Sequence, residues 1–96
     1  MTKEDIVSYL KSHKNYFKEK YQISKIILFG SYSREEEKDD SDIDIAIETP
    51  VSDYFLLYDL KDELEKIFNK KIDLVRLRNK MNSVFKNRIN KEGVHV

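Results

Sequence analysis

The sequence contains no cysteine, only two glycines and one proline, and no long apolar run among its 96 residues. The absence of cysteine excludes disulfides, thiolate metal sites and cysteine nucleophiles. No window approaches the roughly 18 apolar residues that a membrane span needs, and the first five residues lack the apolar run of a signal peptide. The sequence therefore predicts a cytoplasmic protein.

Charge is balanced overall but unevenly distributed along the chain. There are 18 acidic and 18 basic residues, and the length suits one domain comprising residues 1–96. Eight acids lie between Arg34 and Glu48 against two bases, whereas nine bases lie between Lys66 and Lys91 against one acid, Asp73. This polarity could guide a cation to the first region and a polyanion or an acidic partner to the second. An ordinary solvated surface explains the basic region equally well.

Apolar periodicity separates helices from strands. Thr2 has the features of a helix start, and apolar residues at helical spacing predict a helix to about Glu19. Residues 53–69 show an amphipathic pattern that predicts a second helix, and a last helix is expected from about Met81 until Gly93 stops it. Strands are predicted at 25–29, 42–48 and 71–77, with 94–96 as a short edge strand.

Two acids alternate within the second predicted strand. Asp42 and Asp44 lie two residues apart, so their carboxylates point to the same side of the strand at roughly 6–7 Å. Asp73 lies in the next predicted strand and joins them if the two strands are neighbours. Oxygen ligands without His or Cys suit Mg²⁺ or Mn²⁺, and Mg²⁺ commonly combines one or two carboxylates with substrate phosphates. Because three clustered acids repel one another without a cation, the pattern predicts a metal site.

A Gly-Ser pair follows the first predicted strand. Gly30 lets a phosphate approach the backbone closely, while Ser31 and the free amides of a helix starting near Tyr32 offer donors to an anion. A phosphate at a helix start, beside a metal at the sheet edge, is the layout of a nucleoside triphosphate site.

These residues resemble a known signature. Gly30-Ser31, ten intervening residues and Asp42-Ile43-Asp44 resemble the GS-x10-D-x-D pattern of the DNA polymerase beta nucleotidyltransferase superfamily. The small size and the later segment KIDLV resemble its minimal nucleotidyltransferase (MNT) branch, and the resemblance runs across essentially the whole chain. The implied fold is α/β (α+β), with a small mixed β-sheet of three to four strands and helices packed mainly on one face.

The resemblance also implies an activity and its residues. Nucleoside monophosphate is transferred from ATP to a hydroxyl acceptor and pyrophosphate leaves. Asp42 and Asp44 are expected to hold two Mg²⁺ ions, with Mn²⁺ as a substitute, and Asp73 to bind one metal and the incoming hydroxyl. The residues expected to bind the nucleotide are Gly30, Ser31 and Arg34.

One position departs from the pattern. Such proteins often carry a glycine after the arginine, but here Arg34 is followed by Glu35 and two more glutamates. If the position has positive φ, Glu35 costs about 1 kcal/mol or more. The extra acids also oppose triphosphate binding, whereas the acids of the metal site are complete.

The residues do not identify the hydroxyl acceptor of the transferred group. Because 96 residues leave little room for a further domain, we expect a partner to bring the acceptor. The MNT resemblance implies an antitoxin that transfers AMP to a tyrosine of a HEPN-domain ribonuclease toxin. One alternative is a non-catalytic module that neutralises its partner by contact, and another is a transferase for a small hydroxylated acceptor. Neither a membrane partner nor direct nucleic-acid binding is expected.

Overall fold

Four strands form one mixed sheet in the computed structural model, which describes residues 1–96. The sheet order is β3-β2-β1-β4; β2 runs antiparallel to β1 and parallel to β3, and β4 pairs antiparallel with β1. All four predicted strands are present, and the sheet confirms the predicted fold class. Their bounds are β1 Lys25–Phe29, β2 Ile43–Glu48, β3 Ile72–Arg76 and β4 Val94–His95.

Five helices accompany the sheet, one more than the pattern predicts along the first 21 residues. The prediction of one helix to about Glu19 is wrong, because the chain leaves helical geometry at His13 (φ −111°, ψ 16°). There the His13 ring stacks on Tyr9 at 4.0 Å, and its Nδ1 donates to the Tyr9 carbonyl oxygen (2.9 Å). The start at Thr2 is confirmed by a complete capping box with Asp5. The helices are α1 Lys3–Ser12, α2 Lys14–Tyr21, α3 Gly30–Ser33, α4 Tyr54–Phe68 and α5 Ser83–Glu92.

The alternation in β2 divides the hydrophobic core between the two faces of the sheet. Ile43, Ile45 and Ile47 are buried in the larger cluster, beneath α1, α2 and α4. On the other face, Ala46 joins a smaller cluster to which α5 contributes Ile89. Each fully buried Ile contributes roughly 1.5–3 kcal/mol, so these side chains set the register of β2. Most helices thus cover one face, and α5 alone lies over the face that carries Asp44.

Asp44 lies near the start of β2, as its second residue, whereas Asp42, which was predicted inside this strand, lies just before it. Asp42 precedes β2, which starts at Ile43, and Asp73 is the second residue of β3. None of the helices is both long enough and apolar enough to span a membrane.

Candidate functional site

The sheet topology gathers the predicted site at one end of the sheet. Phe29, the last residue of β1, lies opposite Asp44 in the antiparallel ladder. Asp44 in turn lies in register with Asp73 on the parallel strand β3. Asp73 was expected to join the other two acids only if its strand and theirs were neighbours. β2 and β3 are neighbours, so this condition is met. The Gly-Ser turn and two of the three acids therefore meet where β1 ends and where β2 and β3 begin.

Gly30 is required at the point where its backbone passes the Asp44 side chain. It has φ +75°, and a Cβ added there would lie 2.0 Å from Oδ2 of Asp44. Any other residue would therefore combine a left-handed backbone with a collision against a carboxylate. The space that a side chain at position 30 would need is thus occupied by an acid of the site.

Asp44 has the most strongly shifted pKa among the carboxylic acids of the chain. Burial, the adjacent Asp73 and then Asp42 raise the pKa of Asp44 to about 6, and Arg34 partly opposes that rise. The first cause is loss of solvation, and the second is repulsion by like charge. Asp44 is half-buried, whereas Asp42 and Asp73 are exposed. Burial and the neighbouring acids therefore disfavour the charged form of Asp44, and a bound cation would relieve both effects.

The acids fit a divalent cation that shares its shell with a substrate. No three Asp, Glu or His side chains stand close enough together to form a complete metal cage. A pair formed by Asp44 and Asp73, with Asp42 beside it, still suits Mg²⁺, because this ion commonly takes one or two protein carboxylates and completes its octahedron with phosphates and water. The all-oxygen donors and their mutual repulsion both favour such a hard cation.

Ser31 and Arg34 lie next to this acid pair. The Ser31 side chain is half-buried in the first turn of α3 and makes no hydrogen bond within the chain. Arg34 is exposed, and its Nε donates to Glu36 at 3.0 Å. The predicted helix exists but starts at Gly30 rather than near Tyr32, and it is only four residues long. Its dipole is correspondingly short, so the donors that this turn could offer to an anion are chiefly the Ser31 hydroxyl and the Arg34 guanidinium.

The departure at Glu35 has a structural explanation. Glu35 has φ +57°, its N–H donates to Tyr32 O, and the N–H of Glu36 donates to Ser31 O. These two bonds form a Schellman motif with Glu35 at the left-handed C′ position, which is usually glycine. The positive φ on which the cost of Glu35 depends is therefore present, and the acidic segment begins with a strained residue.

Helix α5 contributes side chains that the sequence reading did not assign to the site. Phe85, Arg88 and Ile89 line a cleft of about 120 Å³ together with Gly30 and Arg34. The apolar spacing of α5 indicated that Phe85 and Ile89 face inward, but nothing in it indicated which end of the sheet they face. Only the return of the chain over the second face of the sheet places them beside Gly30.

Known proteins are similar to this chain both in sequence and in fold. The family model described as polymerase beta nucleotidyltransferase matches residues 11–96. Protein adenylyltransferase MntA of Thermococcus cleftensis is 32% identical over 97 residues, covering 100% of this chain and 97% of that protein.

Two solved complexes contain a chain of similar structure. A toxin-antitoxin crystal structure with AMP-PNP aligns with a TM-score of 0.72 at 26% identity, over 99% of this chain and 72% of that chain. A complex of tri-AMPylated Shewanella oneidensis HEPN toxin with MNT antitoxin aligns with a TM-score of 0.62 at 26% identity, over 97% of this chain and 66% of that chain. By its sequence and its strand-end site, this chain belongs to the polymerase beta nucleotidyltransferase family.

Proposed function

We propose that this chain is a protein adenylyltransferase that moves AMP from ATP to a tyrosine hydroxyl of a HEPN-domain ribonuclease toxin. It would thereby act as the antitoxin. The observation that carries the proposal is the register of Asp44 with Asp73, immediately beside Gly30. That arrangement puts paired carboxylates next to a Gly-Ser turn, which is the chemistry that transfer from a metal-bound triphosphate requires.

Each residue has a role in the proposed reaction. Ser31 and Arg34 bind triphosphate oxygens. To do so, Arg34 breaks its ion pair with Glu36. The acceptor oxygen forms a bond to the α-phosphorus of ATP, and the bond from that phosphorus to the β-phosphate oxygen breaks. Pyrophosphate leaves, and the hydroxyl proton passes to the Asp73 carboxylate and on to solvent.

The acids are the proposed holders of two Mg²⁺ ions. Asp42, Asp44 and Asp73 provide oxygen ligands, and Mn²⁺ is the expected substitute. When bound there, Mg²⁺ would supply charge neutralisation of the triphosphate. The carboxylates thus exchange mutual repulsion for metal coordination.

The protein acceptor is supported by the relatives. The name of MntA describes transfer of adenylyl groups to protein, and a structurally similar chain occurs in a complex with an AMPylated HEPN toxin. We propose that residues 1–96 act as one minimal domain and that a partner protein brings the hydroxyl. The sequence predicts a cytoplasmic location, where ATP is available.

The test is intact-mass analysis of a co-expressed candidate HEPN-domain partner, after incubation with the transferase, ATP and Mg²⁺. The wild type should add one or more AMP units to the partner, and the variant Asp42→Asn/Asp44→Asn should add none. Asp39→Asn/Asp40→Asn is the matched control, because it removes the same charge from exposed acids outside the site and should keep the wild-type mass shift. No mass shift with the wild type would contradict the proposed reaction.

A contact inhibitor is the second candidate, and one observation favours it. Arg34 is tied to Glu36 within the acidic segment, which weakens its availability to ATP. If Asp42→Asn/Asp44→Asn still protects cells from the partner as well as the wild type does, neutralisation is by contact. If protection and AMP transfer are lost together while binding is retained, neutralisation is catalytic.

A further inference from the structure

The basic region of the chain includes a cluster of cations without acidic partners. One concave surface carries four cations and a single acid, Glu48. We call the four cations the basic rim: Arg76, Arg78, Lys80 and Lys86. None of them forms an ion pair with a carboxylate of the chain, although Arg76 Nε donates to Thr49 O at 3.1 Å. By contrast, ion pairs do form at Lys20, Arg34, Lys61, Lys66 and Arg88.

The basic rim borders a groove along β3. This β3 groove has a volume of about 770 Å³, and its walls combine Arg76, Arg78 and Lys80 with apolar residues of β3, α4 and the start of α5. One wall residue is Val75, which lies two residues after Asp73 and therefore on the same side of the strand, roughly 7 Å away. The β3 groove thus runs from the neighbourhood of the site acids to the basic rim. Its apolar lining is Leu57, Leu74, Val75, Met81 and Phe85.

The floor of this groove includes an unpaired sheet edge. β3 is the terminal strand of the sheet and pairs only with β2. Lys71 O and Leu77 N bond to β2, and a parallel ladder engages alternate residues. The backbone N–H and C=O of Leu74 and Arg76 therefore point away from β2, where an extended polypeptide could bond to them.

Exposed aromatic side chains continue the same surface. Tyr54, Phe55 and Tyr58, at the start of α4, are 77%, 80% and 58% exposed. Tyr54 and Tyr58 border a hollow of about 250 Å³ that shares Leu74 and Arg76 with the groove. Aromatic residues and arginine are enriched at protein interfaces, and contiguous exposed apolar surface is typical of a binding site.

We propose that the protein acceptor docks in the β3 groove as an extended segment whose carboxylates contact the basic rim. This inference rests on the proposed function and adds to it the surface that recognises the acceptor. A segment bound along β3 would place one end beside Asp73, where its hydroxyl must arrive. A polypeptide fits better than a nucleic acid, because Leu74, Val75 and Met81 offer apolar contacts and the strand edge offers backbone hydrogen bonds.

Charge reversal at the exposed part of the basic rim tests the inference. Arg78→Glu/Lys80→Glu repels an acidic segment, and Arg78→Ala/Lys80→Ala removes the attraction without repulsion. The readout is AMP transfer to the same candidate HEPN-domain partner, with KM measured separately for that protein and for ATP. The double reversal should raise the KM for the acceptor by about tenfold or more, and the alanine pair should raise it by a smaller factor. The KM for ATP should be unchanged.

The control is Lys18→Glu/Lys91→Glu, which reverses two exposed cations outside the groove that also lack ion pairs; its KM for the acceptor should match the wild type. If the wild type transfers AMP but both rim variants keep the wild-type KM for the acceptor, the docking inference is overturned and the proposed function stands. If the wild type transfers no AMP to that protein, the proposed function itself fails.

A 12-nucleotide oligo(U) RNA provides the remaining probe. Its binding to the wild type and loss in the reversal variant, with an unchanged acceptor KM, would assign the rim to nucleic acid and overturn the inference.

Discussion

Asp44 shows how the site works against the stability of the fold. Asp44 lies on β2, which forms the central strand pair with β1. Its side chain lies close to the Gly30 backbone, and the residue is in register with Asp73. An apolar residue there would add burial and remove repulsion. Retaining a carboxylate at such a position is typical of a residue kept for binding rather than for stability.

Asp44→Asn should therefore stabilise the protein in metal-free buffer. The amide keeps the shape of the side chain and removes its repulsion with Asp73, so we expect a gain of up to about 1 kcal/mol in the free energy of unfolding, limited by solvent screening. The measurement is urea unfolding at pH 7 with EDTA and again with Mg²⁺. Mg²⁺ should raise the midpoint of the wild type more than that of the variant.

The control for this experiment is Asp39→Asn, an exposed acid outside the strand pair, which should leave both midpoints nearly unchanged. If Asp44→Asn is less stable than the wild type without metal, repulsion between Asp44 and Asp73 is not the main effect of Asp44 on the free energy of unfolding.

Glu35→Gly should also stabilise the fold, for a backbone reason. A non-glycine residue in the left-handed region costs about 1–2 kcal/mol, and the greater flexibility of glycine when unfolded offsets about half of this. We expect a net gain of about 0.5–1 kcal/mol in urea unfolding. Glu37→Gly, which removes the same charge at a position without positive φ, should give no gain. Equal effects of the two substitutions would assign the effect to charge instead.

At the scale of elements, α2 is held to α4 by a polar network around Glu63. Tyr16 donates to Oε1 of Glu63, Tyr21 donates to Oε2 at 2.6 Å, and Lys20 lies 3.8 Å from the same oxygen. Although burial opposes ionisation, these hydrogen bonds and Lys20 lower the pKa of Glu63 below its ordinary 4.5. Burial and then the bond to Glu63 raise the pKa of Tyr21 to about 12.

Glu63→Gln should destabilise the protein in a pH-dependent way. We expect a loss of about 1–2 kcal/mol at pH 7, because an amide accepts from the two tyrosines less strongly than a carboxylate does. The folded pKa is lowered, so the stabilisation by Glu63 is fully present above 4.5 and is lost as the pH falls through the lower folded value. Urea unfolding between pH 7 and pH 3 should show the gap between wild type and variant closing only below pH 4.5. Exposed Glu19→Gln is the control, and a constant gap across this range would contradict the assignment.

The elements that sequence pattern predicts best are those with uninterrupted periodicity. The strict alternation of β2 and the apolar spacing of α4 both led to bounds within one residue of those observed. The break at His13 escaped prediction, because the apolar spacing continues through it from Leu10 to Phe17. The break becomes visible only in the structure, where the His13 ring stacks on Tyr9 and both helices pack in the main cluster.

At the scale of the whole molecule, α1 belongs to the core although the family model begins at residue 11. Ile6 and Leu10 are 0% and 1% exposed in the main cluster. Deleting residues 1–10 should therefore cost roughly 3–6 kcal/mol from these two side chains alone, a large part of the stability of a small domain. Circular dichroism during urea unfolding should show the midpoint falling sharply, and an unchanged midpoint would mean that α1 is dispensable.

The full chain should unfold in a single transition, since α1, α2 and α4 share one cluster with the sheet. Tyrosine fluorescence and circular dichroism should give coincident curves. The substitution Ile6→Ala/Leu10→Ala serves as a milder variant, with exposed Ser8→Ala/Lys11→Ala as its matched control. Two separated transitions in the wild type would contradict a single folding unit.

Sequence alone determined the four strands of this protein and the family to which it belongs. Local patterns carry that information: alternation in β2 separates isoleucines from acids, and the Gly-Ser pair ends a buried strand. The Gly30-Ser31 and Asp42-x-Asp44 spacing was sufficient to point to the nucleotidyltransferase family, which the comparisons confirm.

Only the tertiary structure decided what is close to what. Strand order makes β3 the neighbour of β2 and brings Asp73 level with Asp44, and the return of α5 places Phe85 and Arg88 beside Gly30. The same order leaves the outer edge of β3 unpaired beside the basic rim. Residues far apart in the chain meet through the burial of both sheet faces, which depends on all elements at once and leaves no local pattern in the sequence.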